Sequence, residues 1–361
     1  MKIIVDNKIP FIRGEVERLA DEVIYLPGAA ISASDVADAD ILIVRTRTKC
    51  NRQLLEGSTV RFIVTATIGY DHIDTEYCTA AGIQWTNCPG CNARSVNQYV
   101  ANAISALGIT PAGKVMAVVG VGHVGSLVVK TAADAGFTVL MSDPPLQEAG
   151  TTAEELLSST SNDFIRQSAH HADHTLPRFA SIQTICQQAD IITFHTPLTR
   201  TGSHPTHHLA DAHFFHDLLR RPVIINASRG GVVDETALKA ALTDGTVSHA
   251  VIDTWEGEPH IDADLLARAD ITTPHIAGYS ANGKRNATLM SLHAVRDFIL
   301  KTTNPSDVLH ARCTAATFDI PLPQAPRLTP DTLMDDSRRL KEYADCFEDF
   351  RGNYPTRIES L

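Results

Sequence analysis

Two successive series of short apolar runs, each followed by a stretch of helical periodicity, organise most of the chain. The first series is IIVD (3–6), EVIY (22–25), ILIV (41–44), RFIV (61–64) and IQWT (83–86). The second is VMAVV (115–119), TVLM (138–141), IITF (191–194), VIIN (223–226) and HAVID (249–253). Alternation of this kind predicts an α/β chain with two doubly wound parallel-sheet domains. Between the two series, residues 92–108 place Val96, Tyr99, Val100, Ala103, Ile104 and Leu107 at helical spacing, and so predict a bridging helix. After Pro274, the spacing of Met290, Leu292, Val295, Phe298 and Ile299 predicts a further helix that packs back on the first unit. From about Asn304 the register changes to a Pro-rich stretch and an acidic helix-like run, too short for a third doubly wound unit. The expected organisation is therefore a first domain over 1–94 with about 274–290, a second over 95–273, and a small C-terminal dimerisation domain over 291–361.

One loop in the second series carries a specific chemistry. Gly120, Gly122 and Gly125 form GVGHVG directly after VMAVV and before the helical run SLVVKTAADAG. The motif alone is weak. In this context it meets the needs of a dinucleotide loop: a tight turn, close backbone approach to a pyrophosphate, close helix packing, and a helix N-terminus aimed at the anion, with His123 and Val124 opening the helix. The next strand leads to Asp143, whose carboxylate suits ribose hydroxyls and repels the extra phosphate of NADP, so NAD is the expected cofactor. Three more segments follow strands of the same series. They carry Arg229 (NASRGGVVDETAL), Asp253 and Glu258 (VIDTWEGEPH), and His275 (ITTPHIAGYS). Hydride transfer from an alcohol needs a base for the proton, a cation for a carboxylate and a docked nicotinamide, and these segments hold a candidate for each. Taken singly, Arg229 also fits a surface ion pair, Glu258 a solvated loop acid and His275 a structural histidine.

Composition narrows the partners. Lys and Arg total 31 against 42 Asp and Glu, a formal charge of −11 over 361 residues, which argues against nucleic acid or anionic membrane as partner. No apolar run reaches the ~20 residues of a membrane helix. Asp6 also interrupts the place where an export signal needs its apolar core, so the cytoplasm is expected. The seven scattered cysteines read as reduced thiols. Cys88 and Cys91 form a CxxC without a second ligand pair, so a loop beside a glycine turn is favoured over a metal site. His170, His171 and His174 lie in a polar stretch, 150–182, read as a surface insertion rather than a metal site. Against the acidic background, Arg45, Arg47 and Lys49 put three cations in five residues just after ILIV, where a phosphate needs them; a solvated basic loop is the plainer reading.

In order and spacing, GVGHVG, FHTPL, NASRGGVVDETAL, DTWEGEP and PHIAGYS resemble the D-isomer-specific 2-hydroxyacid dehydrogenases, over most of 1–290. The resemblance implies that Arg229 grips the substrate carboxylate and carbonyl oxygen, that His275 is the acid/base and that Glu258 holds it. It also implies that Thr196, Asp253 and Gly278 line the nicotinamide side. VRTRTKCN (44–51), TATIGYDHID (65–74), PGCNA (89–93) and HIAGYSANGK resemble a branch acting on 4-phospho-D-erythronate in vitamin B6 biosynthesis. By that likeness Thr46, Thr67 and Tyr279 contact substrate; Arg45 and Arg47 join them as the phosphate's cations, Lys284 and Arg285 are further phosphate partners, and the enzyme is a homodimer. Another phosphorylated 2-hydroxy acid such as 3-phosphoglycerate is the alternative substrate. A non-enzymatic NAD-sensing protein is the alternative from a different class.

Overall fold

The computed structural model describes residues 1–159 and 176–359, so the His170, His171 and His174 group lies outside the described residues. The chain divides into two compact units.

Unit 1 comprises Met1–Asn92 and Ser280–Gln324. Its strands are β1 (Lys2–Asp6), β2 (Glu22–Leu26), β3 (Ile41–Val44), β4 (Phe62–Thr65) and β5 (Gln84–Thr86). All pair in parallel in the order β2-β1-β3-β4-β5. Every residue of β3 and β4 is buried because both faces of the sheet are covered. On one face Ile3, Val5, Ile41, Ile43 and Val64 meet Leu292, Val295 and Ile299 of the helix Ala281–Thr302. There the ring of Phe298 stacks on Phe62 with centroids 4.6 Å apart. That helix starts where Ser280 accepts from the Gly283 amide, and a Cβ on Gly283 would stand 2.8 Å from the Asn92 Cβ, so only glycine fits the close approach. The strand order reverses between β1 and β3, and the turn after β3 holds the cluster Arg45, Arg47 and Lys49.

Unit 2 comprises Ala93–Tyr279 and Ala325–Leu361. Its strands are β6 (Val115–Val119), β7 (Thr138–Ser142), β8 (Arg178–Phe179), β9 (Ile191–Phe194), β10 (Val223–Asn226), β11 (His249–Ile252) and β12 (Ile271–Thr272). They form a parallel sheet in the order β12-β11-β10-β9-β6-β7-β8. The reversal falls between β6 and β9, so a ligand crevice is expected at the carboxyl end of β6, where the glycine loop begins. The expected bridging helix is present as Ala93–Ala106, with Val96, Tyr99, Val100, Ala103 and Ile104 buried. Within the stretch read as a surface insertion, 150–182, the structure places strand β8: Arg178 pairs with Leu140, and two residues at a sheet edge leave no periodic signal in a sequence.

The stretch 291–361, expected as one C-terminal domain, is divided between the two units. The helix Ala281–Thr302 runs uninterrupted through residue 290, and the side chains on either side of Gln324 go to different cores. Cys313, Ala316 and Ile320 complete the unit 1 core, whereas Leu328, Leu333, Leu340 and Phe347 pack into unit 2. Within unit 2, the helix Pro330–Glu342 lies against β12 and the helix Ala93–Ala106. Phe298→Ala is expected to lower unfolding free energy by about 3–5 kcal/mol, since it empties a stacked core position. Urea denaturation followed by circular dichroism checks this.

Candidate active site

The turn from β6 into the helix His123–Ala135 is shaped by its glycines. Gly120 has φ +86°, and a Cβ there would come within 2.8 Å of the His195 carbonyl and the Thr196 methyl. A Cβ on Gly125 would run into the Gly120 carbonyl oxygen, so this glycine lets the helix press against the turn. Gly122 is different: it is the N-cap, no side chain caps the helix, and a Cβ there would meet nothing within 4 Å. The cradle at the helix N-terminus is therefore open. Asp143 follows β7 and ties the loop in place, with Oδ2 accepting from the Val121 amide at 2.8 Å and Oδ1 from the Leu146 amide at 3.2 Å. Beside the turn, His195 shares a 2.9 Å hydrogen bond with Thr193, and burial pushes its imidazole down to about 3, so it is neutral. The buried Oγ1 of Thr196 has no hydrogen-bond partner.

Catalytic chemistry sits at the ends of β10, β11 and β12. After β10, Asn226 folds the turn by accepting from Ser228 and donating to the Arg229 carbonyl at 3.0 Å. The half-buried Arg229 donates to the Ser228 carbonyl at 2.8 Å. Gly230 has no room for a side chain, because a Cβ would collide with the Trp255 carbonyl, and this brings the Arg229 turn against the loop that carries Glu258. The Trp255 amide donates to Glu258 Oε1 at 3.0 Å, and the Trp255 indole donates to the Thr273 carbonyl at 3.0 Å. His275 Nδ1 lies 3.0 Å and 2.9 Å from the two oxygens of Glu258. Burial raises the Glu258 carboxyl, but His275, the Trp255 amide and Arg351 together hold it below the usual glutamate range. Glu258 is thus a carboxylate that fixes the imidazole through Nδ1 and leaves Nε2 for proton transfer.

His275 has φ +56°, a left-handed conformation that a histidine holds only under constraint. The constraint is Asp253. Its carboxylate, 1 % exposed, accepts from the Ile276 amide at 2.7 Å, the Ala277 amide at 3.0 Å and the Thr273 hydroxyl at 2.6 Å. The Asp253 carbonyl accepts from the His275 amide at 2.8 Å. Burial nonetheless pushes this carboxyl above its usual range, against the pull of His275 and these donors. Asp253 was expected on the nicotinamide side; the structure spends both of its oxygens on the turn that carries His275.

Residues 92–277 match the family model described as D-isomer specific 2-hydroxyacid dehydrogenase, NAD binding domain. A protein of Bacteroides thetaiotaomicron named erythronate-4-phosphate dehydrogenase is 44% identical, over 99% of this chain and 97% of its own length. A protein of the same name from Bacteroides fragilis is 46% identical over the same shares. The chain belongs to the D-isomer-specific 2-hydroxyacid dehydrogenases. A third relative of that name, from Pseudomonas putida, is 41% identical over 83% of this chain and 73% of its own length. At the level of fold, the structure resembles D-lactate dehydrogenase of Aquifex aeolicus, solved with NAD and lactic acid. That match has a TM-score of 0.60 at 20% identity, and covers 83% of this chain and 96% of that one.

As in the NAD-binding domain of the family, the residues present fit NAD. The open cradle at Gly122, the orphaned Thr196 hydroxyl and the absence of a cation directly after Asp143 suit a pyrophosphate, a polar nicotinamide edge and a free ribose hydroxyl pair. Gly278 and Tyr279 continue the His275 turn, and the Tyr279 ring packs edge-on against Tyr354.

The residues expected to meet substrate in unit 1 behave differently from one another. The Nε of Arg45 donates to the buried Asp6 at 3.1 Å, and its side chain is a third exposed. Arg47 and Lys49 line a concavity with Gly28 and Ser32, whereas Thr46 and Lys49 line another with Asp71 and His72. The Thr67 hydroxyl is bonded to Thr65 at 2.6 Å and to the Gly69 carbonyl at 2.8 Å. Lys284 and Arg285 sit near the start of the helix Ala281–Thr302. Cys88 is buried, its thiol pushed up to about 11 by burial and placed 3.3 Å from the Ala287 carbonyl, and Cys91 is buried nearby: a packing role.

Sequence reasoning missed four contributors to the site. Trp255 stood inside the quoted DTWEGEP and was accessible from it. Glu235 likewise stood inside NASRGGVVDETAL, whereas Arg351 and Arg357 carried no recognised signal. Glu235 accepts from the Glu256 amide at 2.7 Å, and burial pushes its carboxyl up to about 7. A carboxyl raised in the folded state binds its proton more tightly there, so it favours folding at acid pH and costs stability as pH rises from the unfolded range near ~4 through 7. Glu235→Gln is therefore expected to gain on the order of 2 kcal/mol relative to the parent at pH 8 and little at pH 4. Urea midpoints measured across that range check the sign.

Proposed function

We propose that the chain oxidises 4-phospho-D-erythronate at C2 to 3-hydroxy-2-oxo-4-phosphobutanoate with NAD as acceptor, a step in vitamin B6 biosynthesis. The reaction class rests on the His275–Glu258 pair beside the Arg229 turn. The substrate rests on the relatives at 44% and 46% identity, whose shared name specifies it. His275 begins as neutral imidazole with Nδ1–H donated to Glu258, and its Nε2 takes the C2 hydroxyl proton. Glu258 stabilises the imidazolium that results, and Arg229 holds the carboxylate and the oxygen that becomes the carbonyl. When bound at the glycine loop, Asp143 and Thr196, NAD accepts the hydride that leaves C2. Unit 2 is the cofactor unit. Thr46, Thr67, Tyr279, Arg45 and Arg47 are the candidates for the substrate's hydroxyl and phosphate groups. The phosphate, with a second pKa near ~6, is largely a dianion at neutral pH and favours cationic partners.

A homodimer and a cytoplasmic location complete the reading. Both follow from the likeness to biosynthetic relatives. No described helix is long and apolar enough to cross a membrane.

NADH absorbance on mixing protein, NAD and 4-phospho-D-erythronate, with a carbonyl trap to draw off product, tests the proposal. D-erythronate and 3-phosphoglycerate serve as comparisons. The expected result is turnover of the first acid with a kcat/KM well above those of the other two. His275→Ala and Arg229→Gln are each expected to lose on the order of 10²–10⁴ in kcat. Turnover of 3-phosphoglycerate alone moves the assignment to that acid, and near-normal turnover in either variant overturns the catalytic roles.

A further inference from the structure

The acidic C-terminal run reads in sequence as a dimerisation element, yet two of its arginines reach the site in unit 2. Arg357, 6 % exposed, donates to the carbonyls of Ile276 at 2.8 Å and Ala277 at 2.9 Å, and to that of Tyr279. It thereby grips from outside the same turn that Asp253 holds from inside through the Ile276 and Ala277 amides. Arg351, on the helix Phe347–Gly352, places Nη1 3.6 Å from Glu258 Oε2, the oxygen that also lies 2.9 Å from His275 Nδ1. An imidazole and a guanidinium thus share Glu258 Oε2.

We infer that Arg351 is a positioning residue for the acid/base pair, a permanent cation from the C-terminal segment that orients Glu258 and sets the pH at which the pair takes up its proton. The inference rests on His275 and Glu258 forming that pair. A guanidinium does not titrate in the working range, so its charge offsets part of the carboxylate's pull on the imidazole proton at every pH. Other charges near the pair are Asp253 behind the His275 turn, Arg357 across it, and Glu348 and Asp349 on the helix of Arg351. Asp336 and Tyr354 pair with each other at 2.6 Å beside Arg357. Among these groups, Arg351 is the ion-pair partner of Glu258.

Removing the cation favours proton uptake, so the pair's titration moves to higher pH. The test is Arg351→Gln alongside Arg351→Lys, with the His275 Cε1 proton followed by NMR against pH in the protein without substrate, and kcat/KM followed over the same range. Arg351 is partly exposed, so the exchange leaves the core intact. The expected result for Arg351→Gln is a midpoint raised by about half a pH unit, which lowers kcat/KM about threefold on the acid side, with Arg351→Lys close to the parent. An unchanged NMR midpoint in Arg351→Gln overturns the inference. A shifted midpoint in a protein that fails to oxidise 4-phospho-D-erythronate leaves the inference standing and removes the substrate assignment instead.

Discussion

The active arrangement depends on one buried carboxylate. Asp253 sits at the end of β11 with three donors on its oxygens, and two of those donors are consecutive amides just past His275. That geometry pulls the chain into a tight turn and forces His275 into a left-handed conformation with its ring against Glu258. An unpaired carboxylate at this depth would cost several kcal/mol, so the turn and the charge need each other. Around them Tyr99 bonds Thr273 at 2.7 Å and Trp255 bonds the Thr273 carbonyl, so β11, β12 and the helix Ala93–Ala106 are joined in one polar network within an apolar core.

Rigidity on that side contrasts with openness at the glycine loop. At Gly120 and Gly125 protein atoms occupy the space a side chain would need, whereas at Gly122 that space is open. The same sheet therefore carries a preformed anion cradle at the carboxyl end of β6 and a locked proton-transfer pair at the carboxyl end of β12, on strands separated by the topological reversal. A preformed pair has little left to reorganise during the reaction, and this is where electrostatic catalysis gains most.

Much of this was legible in the sequence where the signal is local. Apolar runs located ten of the twelve strands, and the short β12 was inferred from the segment before His275; β8, two residues long at an edge, gave nothing to read. Glycine spacing, the acid after β7 and the residues Arg229, Glu258 and His275 were readable because their chemistry depends on short segments. Tertiary partnerships were not. The Arg45–Asp6 ion pair was hidden because sequence cannot show that β1 and β3 are neighbours. The grip of Asp253 on the His275 turn was hidden because the amides it holds lie more than twenty residues on. The split of the C-terminal region at Gln324 depends on which core each apolar residue enters, and no periodicity encodes that choice.

Arg357 lies within five residues of the last position in the chain, while the turn it grips lies some eighty residues earlier. During synthesis the ribosome releases residues in order, and a domain settles as its parts emerge. The strands of unit 2 precede Arg357 in the chain, so the clamp over His275 closes only after the sheet that it braces has been made. A polypeptide that stops short of Arg357 would keep its glycine loop, yet would present its reactive histidine on a turn fastened from one side alone.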